Sequence, residues 1–159
     1  MAPLAGGLIA FSMPPWGWWP FAFVGIAILD MLLANQPRKE RFKRATVVGI
    51  WWLFPATFWM WDMTIPGYLI QGVVFSMLYG AVAMLVPPTQ GRRVALPAAL
   101  VLAALVRWNW PFGGVPLASL AISQSDAPLA QTARVFGSLT IVALVGVGGV
   151  ALSALAERN

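Results

Sequence analysis

Residues 135–156 read VFGSLTIVALVGVGGVALSALA, with no charged side chain between Arg134 and Glu157. An α-helix rises about 1.5 Å per residue, and a bilayer's hydrocarbon core takes about 20 apolar residues to cross. This run is long enough. The rest of the chain has the same character: hydrophobic residues make up 60% of the 159 positions and charged ones 9%, against about 25% charged in ordinary soluble domains. A domain of about 150 residues still exposes roughly a third of the surface of its unfolded chain. So much apolar material must therefore face something other than water, and lipid is the available solvent. The expected fold class is all-α, a polytopic membrane helix bundle in one domain.

Working back from 135–156, the hydropathy pattern gives about six transmembrane helices, at 4–13, 20–34, 45–63, 68–86, 94–110 and 135–156, with an outer loop at 111–134. The first is brief for a span and has no basic start, so it reads as a short first helix rather than a signal peptide. Gly6 and Gly7 would let a neighbour pack close. The turn Pro14-Pro15-Trp16-Gly17-Trp18-Trp19-Pro20 reads as interfacial, because tryptophan collects where headgroups meet hydrocarbon. Pro55 falls in the middle of the third predicted helix, where it is expected to kink it.

The net charge is +5, so the placement of the cations matters. Arg38, Lys39, Arg41, Lys43 and Arg44 fall within 38–44, Arg92 and Arg93 form a second site, and Arg107, Arg134 and Arg158 are isolated. A nucleic-acid surface needs an extended basic face, and these residues read instead as short loop clusters. Positive-inside topology accounts for them. It puts loops 38–44 and 92–93 and both termini in the cytoplasm, and loop 111–134 outside.

Cysteine and histidine are both absent, which removes thiolate nucleophiles, imidazole bases and the commonest zinc ligands. The carboxylates are Asp30, Glu40, Asp62, Asp126 and Glu157, and the lysines are Lys39 and Lys43. No catalytic set, metal site or cofactor motif emerges. Asp30, one turn from a helix end, reads as an ion-pair partner, with a proton relay as the alternative. Asp30 and Asp62 together leave a small transporter as a third functional class.

The interesting segment is Arg107-Trp108-Asn109-Trp110-Pro111-Phe112-Gly113-Gly114-Val115-Pro116. A cation flanked by indoles at headgroup depth can pair with a lipid phosphate. Alternatively, Arg107 snorkels to cap its helix and the aromatics anchor the fold. The candidate lipid-binding residues are Arg107, Trp108, Trp110, Phe112, Gly113, Gly114, Pro116 and Gln124, with Trp59 and Trp61 from the end of the third helix.

The stretches Trp110-Pro111-Phe112-Gly113-Gly114-x-Pro116 and Ser123-Gln124-x-Asp126-x-Pro128-Leu129 resemble the membrane domain of apolipoprotein N-acyltransferases, especially actinobacterial ones. The Pro14–Pro20 turn and Trp59-x-Trp61 support the resemblance. Ala104 stands where the family often has a glutamate, and Leu117 where an aromatic is usual. The resemblance implies a bacterial plasma-membrane protein that moves an acyl chain from phospholipid to the amino group of a diacylglyceryl cysteine on a lipoprotein. It also implies a nitrilase-like domain with a Glu-Lys-Cys triad, which this cysteine-free sequence lacks, so the chain is expected to be inactive alone. The rival it suggests is a non-enzymatic scaffold for a partner enzyme such as a polyprenol-phosphate mannosyltransferase.

Overall fold

The structure, a computed structural model, describes residues 1–111, 113 and 117–158. Its elements are α1 (Ala2–Phe11), α2 (Pro20–Leu33), α3 (Arg38–Ala56), α4 (Ile65–Ala83), α5 (Arg92–Asn109), α6 (Ala133–Phe136) and α7 (Ser138–Ala156), with 3-10 turns at Phe58–Asp62, Ile122–Gln124 and Pro128–Thr132. Among the described residues there is no strand.

The helix starts follow local chemistry. Pro20 opens α2 at a position where its missing N–H costs nothing. At the start of α4, Thr64 accepts from the Gly67 amide at 3.2 Å, and Pro66 sits in the first turn. This cap moves the fourth helix three residues ahead of the expected 68–86. Gly91, at φ 81°, turns the chain into α5.

Two expectations need correction at the third helix. It does not begin at 45: Pro37 precedes it, and the cluster 38–44 occupies its first two turns rather than a loop. Arg92 and Arg93 likewise lie in the first turn of α5. Arginine and lysine are good helix formers, so a basic segment continues a helix as readily as it ends one. Nor is Pro55 a central kink, because α3 stops at Ala56. Thr57 leaves helical geometry there, and its hydroxyl donates back to the Leu53 carbonyl at 2.7 Å. Finally, Gly137, at φ 76°, divides the expected 135–156 helix into α6 and α7.

Each of the six longer helices packs chiefly on two neighbours, in the cyclic order α1, α3, α4, α5, α7, α2. The enclosed core holds Ile9, Ile26, Leu33, Trp52, Phe75, Leu96, Leu100 and Val145. Among the described residues, only α4 and α7, each of 19 residues, are long and apolar enough to cross a membrane on their own composition. α1 and α2 are apolar but shorter, and α3 and α5 open on cations.

Polarity across the bundle is inverted. Asp30, Gln71, Ser76, Arg92, Arg107 and Ser153 are buried, whereas Leu69, Ile70, Val73 and Met77 of α4 and Val147 and Leu152 of α7 face outward. At one end Asp30, fully enclosed, takes two bonds from Arg92, at 2.8 and 3.2 Å, and a third from the Ser153 hydroxyl at 2.6 Å. Arg92 also reaches Glu157 at 3.1 Å, and Arg93 pairs with the other Glu157 oxygen. Asp30 is thus an ion-pair partner, tying α2 to α5 and α7.

Close approach between helices depends on particular glycines. A Cβ on Gly6 would fall against the Val48 carbonyl oxygen and 2.7 Å from Trp51 Cβ, while one on Gly7 would meet nothing within 4 Å. Only the first permits α1 to lie on α3. Gly6→Ala is therefore expected to lower the unfolding free energy by about 1–3 kcal/mol through overpacking. Gly7→Ala should leave it equal or up to about 1 kcal/mol higher through helix propensity. Chemical unfolding in mild detergent distinguishes the two.

Candidate functional site

The last turn of α5 carries Arg107, and the site is built around it. With 2% of its surface exposed, Arg107 points into the bundle rather than snorkelling outward. Nη1 donates to the Tyr79 hydroxyl at 3.0 Å and Nη2 to the Leu117 carbonyl, while the guanidinium lies over the Phe75 ring at 4.5 Å and the Tyr79 ring at 5.8 Å. Its Nε is enclosed without an acceptor. Among the described residues no carboxylate pairs with it. The negative faces of the two rings and two neutral oxygens hold the charge instead.

The partners come from one stripe of α4. Gln71, Phe75 and Tyr79 recur every four residues and share a buried face. Gln71 Nε2 donates to the Thr57 hydroxyl at 2.7 Å, and Tyr68, one turn from the start of α4, donates to the Phe54 carbonyl at 3.0 Å. The 71/75/79 spacing was the sequence signal for Arg107's partners. Hydropathy alone does not separate Phe75 and Tyr79 from the exposed apolar residues beside them.

Beyond Leu117 the loop that follows α5 folds back over the bundle. Gln124 is fully enclosed, its Nε2 donating to the Trp19 carbonyl at 3.2 Å and to the Ser123 hydroxyl at 2.9 Å, which fastens the loop to the Pro14–Pro20 turn. An open cavity of about 240 Å³ lies between them, lined by Met13, Pro14, Ala56, Trp59, Leu117, Ala118 and Ile122. Two expected regions therefore meet: Trp59 lines the cavity together with Leu117, the residue that Arg107 grips.

The remaining candidates separate. Trp61 is exposed and packs its ring against Phe58 and Tyr68, at 6.5 and 6.0 Å. Trp110 is exposed, and Trp108 is half-buried with its indole N–H enclosed and without an acceptor. Gly113, at φ 55°, is an exposed turn position. Phe112, Gly114 and Pro116 lie outside the described residues.

The family model for the apolipoprotein N-acyltransferase N-terminal domain matches residues 5–151. The chain belongs to that family. The match takes in α1 through most of α7, including Arg107 and its whole cradle. Among relatives, the apolipoprotein N-acyltransferase of Vibrio parahaemolyticus serotype O3:K6 is 29% identical over 168 residues, covering 94% of this chain and 33% of its own length. That of Vibrio cholerae serotype O1 is 29% identical over 183 residues, covering 99% and 36%. That of Pseudomonas syringae pv. tomato is 28% identical over 155 residues, covering 86% and 30%. The chain thus spans about a third of the length of the curated relatives it matches.

Within this N-terminal domain, Arg107 is the hub between α4, α5 and the loop that follows α5. Tyr79→Phe removes an acceptor from a buried guanidinium and is expected to lower the unfolding free energy by about 1.5–3 kcal/mol, the range for hydrogen bonds to charged groups. Arg107→Ala should cost more, and Arg134→Ala, on an exposed residue, should stay within about 0.5 kcal/mol. Denaturant titration of the three proteins in detergent checks the order.

Proposed function

We propose that this chain is the membrane-embedded, lipid-binding and scaffolding part of a lipoprotein N-acyltransferase. The reaction moves an acyl chain from phospholipid to the amino group of the diacylglyceryl cysteine that begins a lipoprotein. The observation that carries this reading is the segregation of charge and indole between the two ends of an inside-out bundle. Every lysine and arginine except Arg107 and Arg134 clusters at the end where α3 and α5 begin and α7 finishes. Every tryptophan except Trp51 and Trp52 belongs to the opposite end or its loops. A bilayer rewards that division, with cations on the cytoplasmic side and indoles at headgroup depth.

In this reading the helices cross a bacterial plasma membrane. Both termini, 38–44 and 92–93 are cytoplasmic, and 111–134 is external. α1, at ten residues, rises about 15 Å and reaches only part-way on its own. The cavity beside Trp59 and Leu117 then opens at the outer surface, where donor phospholipid and lipoprotein meet. Arg107 serves as a positioning residue, holding the loop that roofs the cavity.

The covalent step needs a nucleophile, and these 159 residues contain no cysteine. In this reading the Glu-Lys-Cys catalytic part that the family resemblance implies is supplied by other residues, in the same polypeptide or a partner. The second reading is a non-enzymatic scaffold for another membrane enzyme such as a polyprenol-phosphate mannosyltransferase. A transporter gains no support, since Asp30 is already bound by Arg92 and Ser153.

Two experiments test these readings. Because the sequence has no native cysteine, Lys39→Cys and Ser125→Cys, both at exposed positions, each provide a single labelling site. In intact cells an impermeant maleimide should modify the second and spare the first; equal labelling would refute the topology. Expressed with a Glu-Lys-Cys catalytic part, the chain should support acyl transfer to a diacylglyceryl peptide. A complex that forms but neither retains phospholipid nor transfers an acyl chain would overturn the acyltransferase reading, and co-purification of a glycosyltransferase would favour the scaffold.

A further inference from the structure

Five cations share the first two turns of α3 with a single carboxylate, and most of their charge is accounted for. Arg38 Nε donates to the Met84 carbonyl at 3.3 Å, and Arg44 Nη1 to the Leu32 carbonyl at 3.0 Å. Those carbonyls close α4 and α2, where unpaired backbone oxygens carry partial negative charge, so both arginines cap neighbouring helices. Lys43 pairs with Glu40 at 2.9 Å, and that bond, with the ammonium charge behind it, holds the Glu40 carboxyl below its ordinary pKa. Lys39 stands exposed.

Arg41 is the exception. It is 6% exposed, and its Nε and Nη1 are enclosed with no acceptor. Among the described residues no carboxylate pairs with it, the nearby Glu40 being occupied by Lys43. Arg38 lies three residues earlier on the same face, so a like charge adds to the cost. Burial first, and Arg38 second, pull the Arg41 guanidinium below its usual pKa. An uncompensated buried charge is among the least tolerable features of a fold.

The carbonyls that close α4 and α2 nearby are already taken by Arg38 and Arg44. Arg41 closes the first turn of α3, whose opening amides have no side-chain cap. The Asn35 amide donates to the Pro88 carbonyl at 2.9 Å, fastening the α2–α3 turn to the α4–α5 turn next to it. An unpaired guanidinium in a helix's first turn, with that turn's N–H groups uncapped, favours an anion.

We propose that Arg41, with Arg38 beside it and the first turn of α3, binds a phosphate-type anion, supplied in the bilayer by the headgroup of an acidic phospholipid of the cytoplasmic leaflet. The lipid source rests on the membrane reading above, whereas the anion site rests only on the unmet charge of Arg41.

The full chain in neutral detergent provides the test, by thermal melting with phosphatidylglycerol, with phosphatidylcholine, or with inorganic phosphate against chloride at equal ionic strength. Phosphatidylglycerol should raise Tm saturably, by about 3–6 °C once it stands about tenfold above half-saturation, and phosphatidylcholine should not. Arg41→Met should lose that increment, while Arg134→Gln keeps it. If inorganic phosphate matches phosphatidylglycerol, the site stands and its lipid source falls. A wild-type Tm unchanged by every anion, or Arg41→Met retaining the whole increment, overturns the site. Failure to enter liposomes would instead refute the membrane reading and leave the phosphate arm intact.

Discussion

A carboxylate with no access to water must be neutralised where it stands, and the bond between Asp30 and Arg92 is the constraint on which the arrangement of this bundle turns. Two parallel hydrogen bonds with a third from Ser153 leave little freedom in the relative height of α2, α5 and α7. Moving one helix by a single residue would rotate its side chain through about a quarter turn and part the fork from its acceptor. A buried pair of this kind adds little net stability over an apolar core. Its contribution here is register: three helix ends are set level, and Glu157 and Arg93 join them at the rim.

The opposite end handles a buried charge differently. Arg107 is enclosed nearly as deeply as Asp30, yet aromatic faces, a phenol and a backbone carbonyl hold it rather than an anion. Neutral partners suit a hinge point between helix and loop, because they fix direction without demanding a matched charge. The result is a loop pinned at Leu117 by Arg107 and at Gln124 by the Pro14–Pro20 turn, with a cavity left between the two fastenings. Under the proposed function, that cavity is where the outer leaflet would meet the rest of an acyltransferase.

The same accounting separates the basic residues, which composition treats alike. Arg38 and Arg44 terminate neighbouring helices, Lys43 is neutralised by Glu40, Arg92 completes the buried pair, and Arg41 is left over. Positive-inside asymmetry describes their common side but not their different employments.

Hydropathy along the chain was enough to decide that the protein is helical and that apolar helices follow one another with basic and aromatic ends. These properties depend on residue type and local spacing, which the linear sequence contains in full. α7 and α4 each start three residues from the expected 135 and 68, where Gly137 and the Thr64 cap set the ends. Hydropathy misjudged the start of α3, since a basic segment reads equally as connector or helix until Arg38 and Arg44 find carbonyls on α4 and α2. Gly6 and Gly7 look identical in sequence, and only the approach of Val48 and Trp51 separates them. The inward turn of Arg107 was likewise a tertiary decision: whether an arginine at a helix end reaches for water or for a core depends on what stands across from it, and Tyr79 and Phe75 come from a helix 28 residues earlier in the case of the bonded hydroxyl.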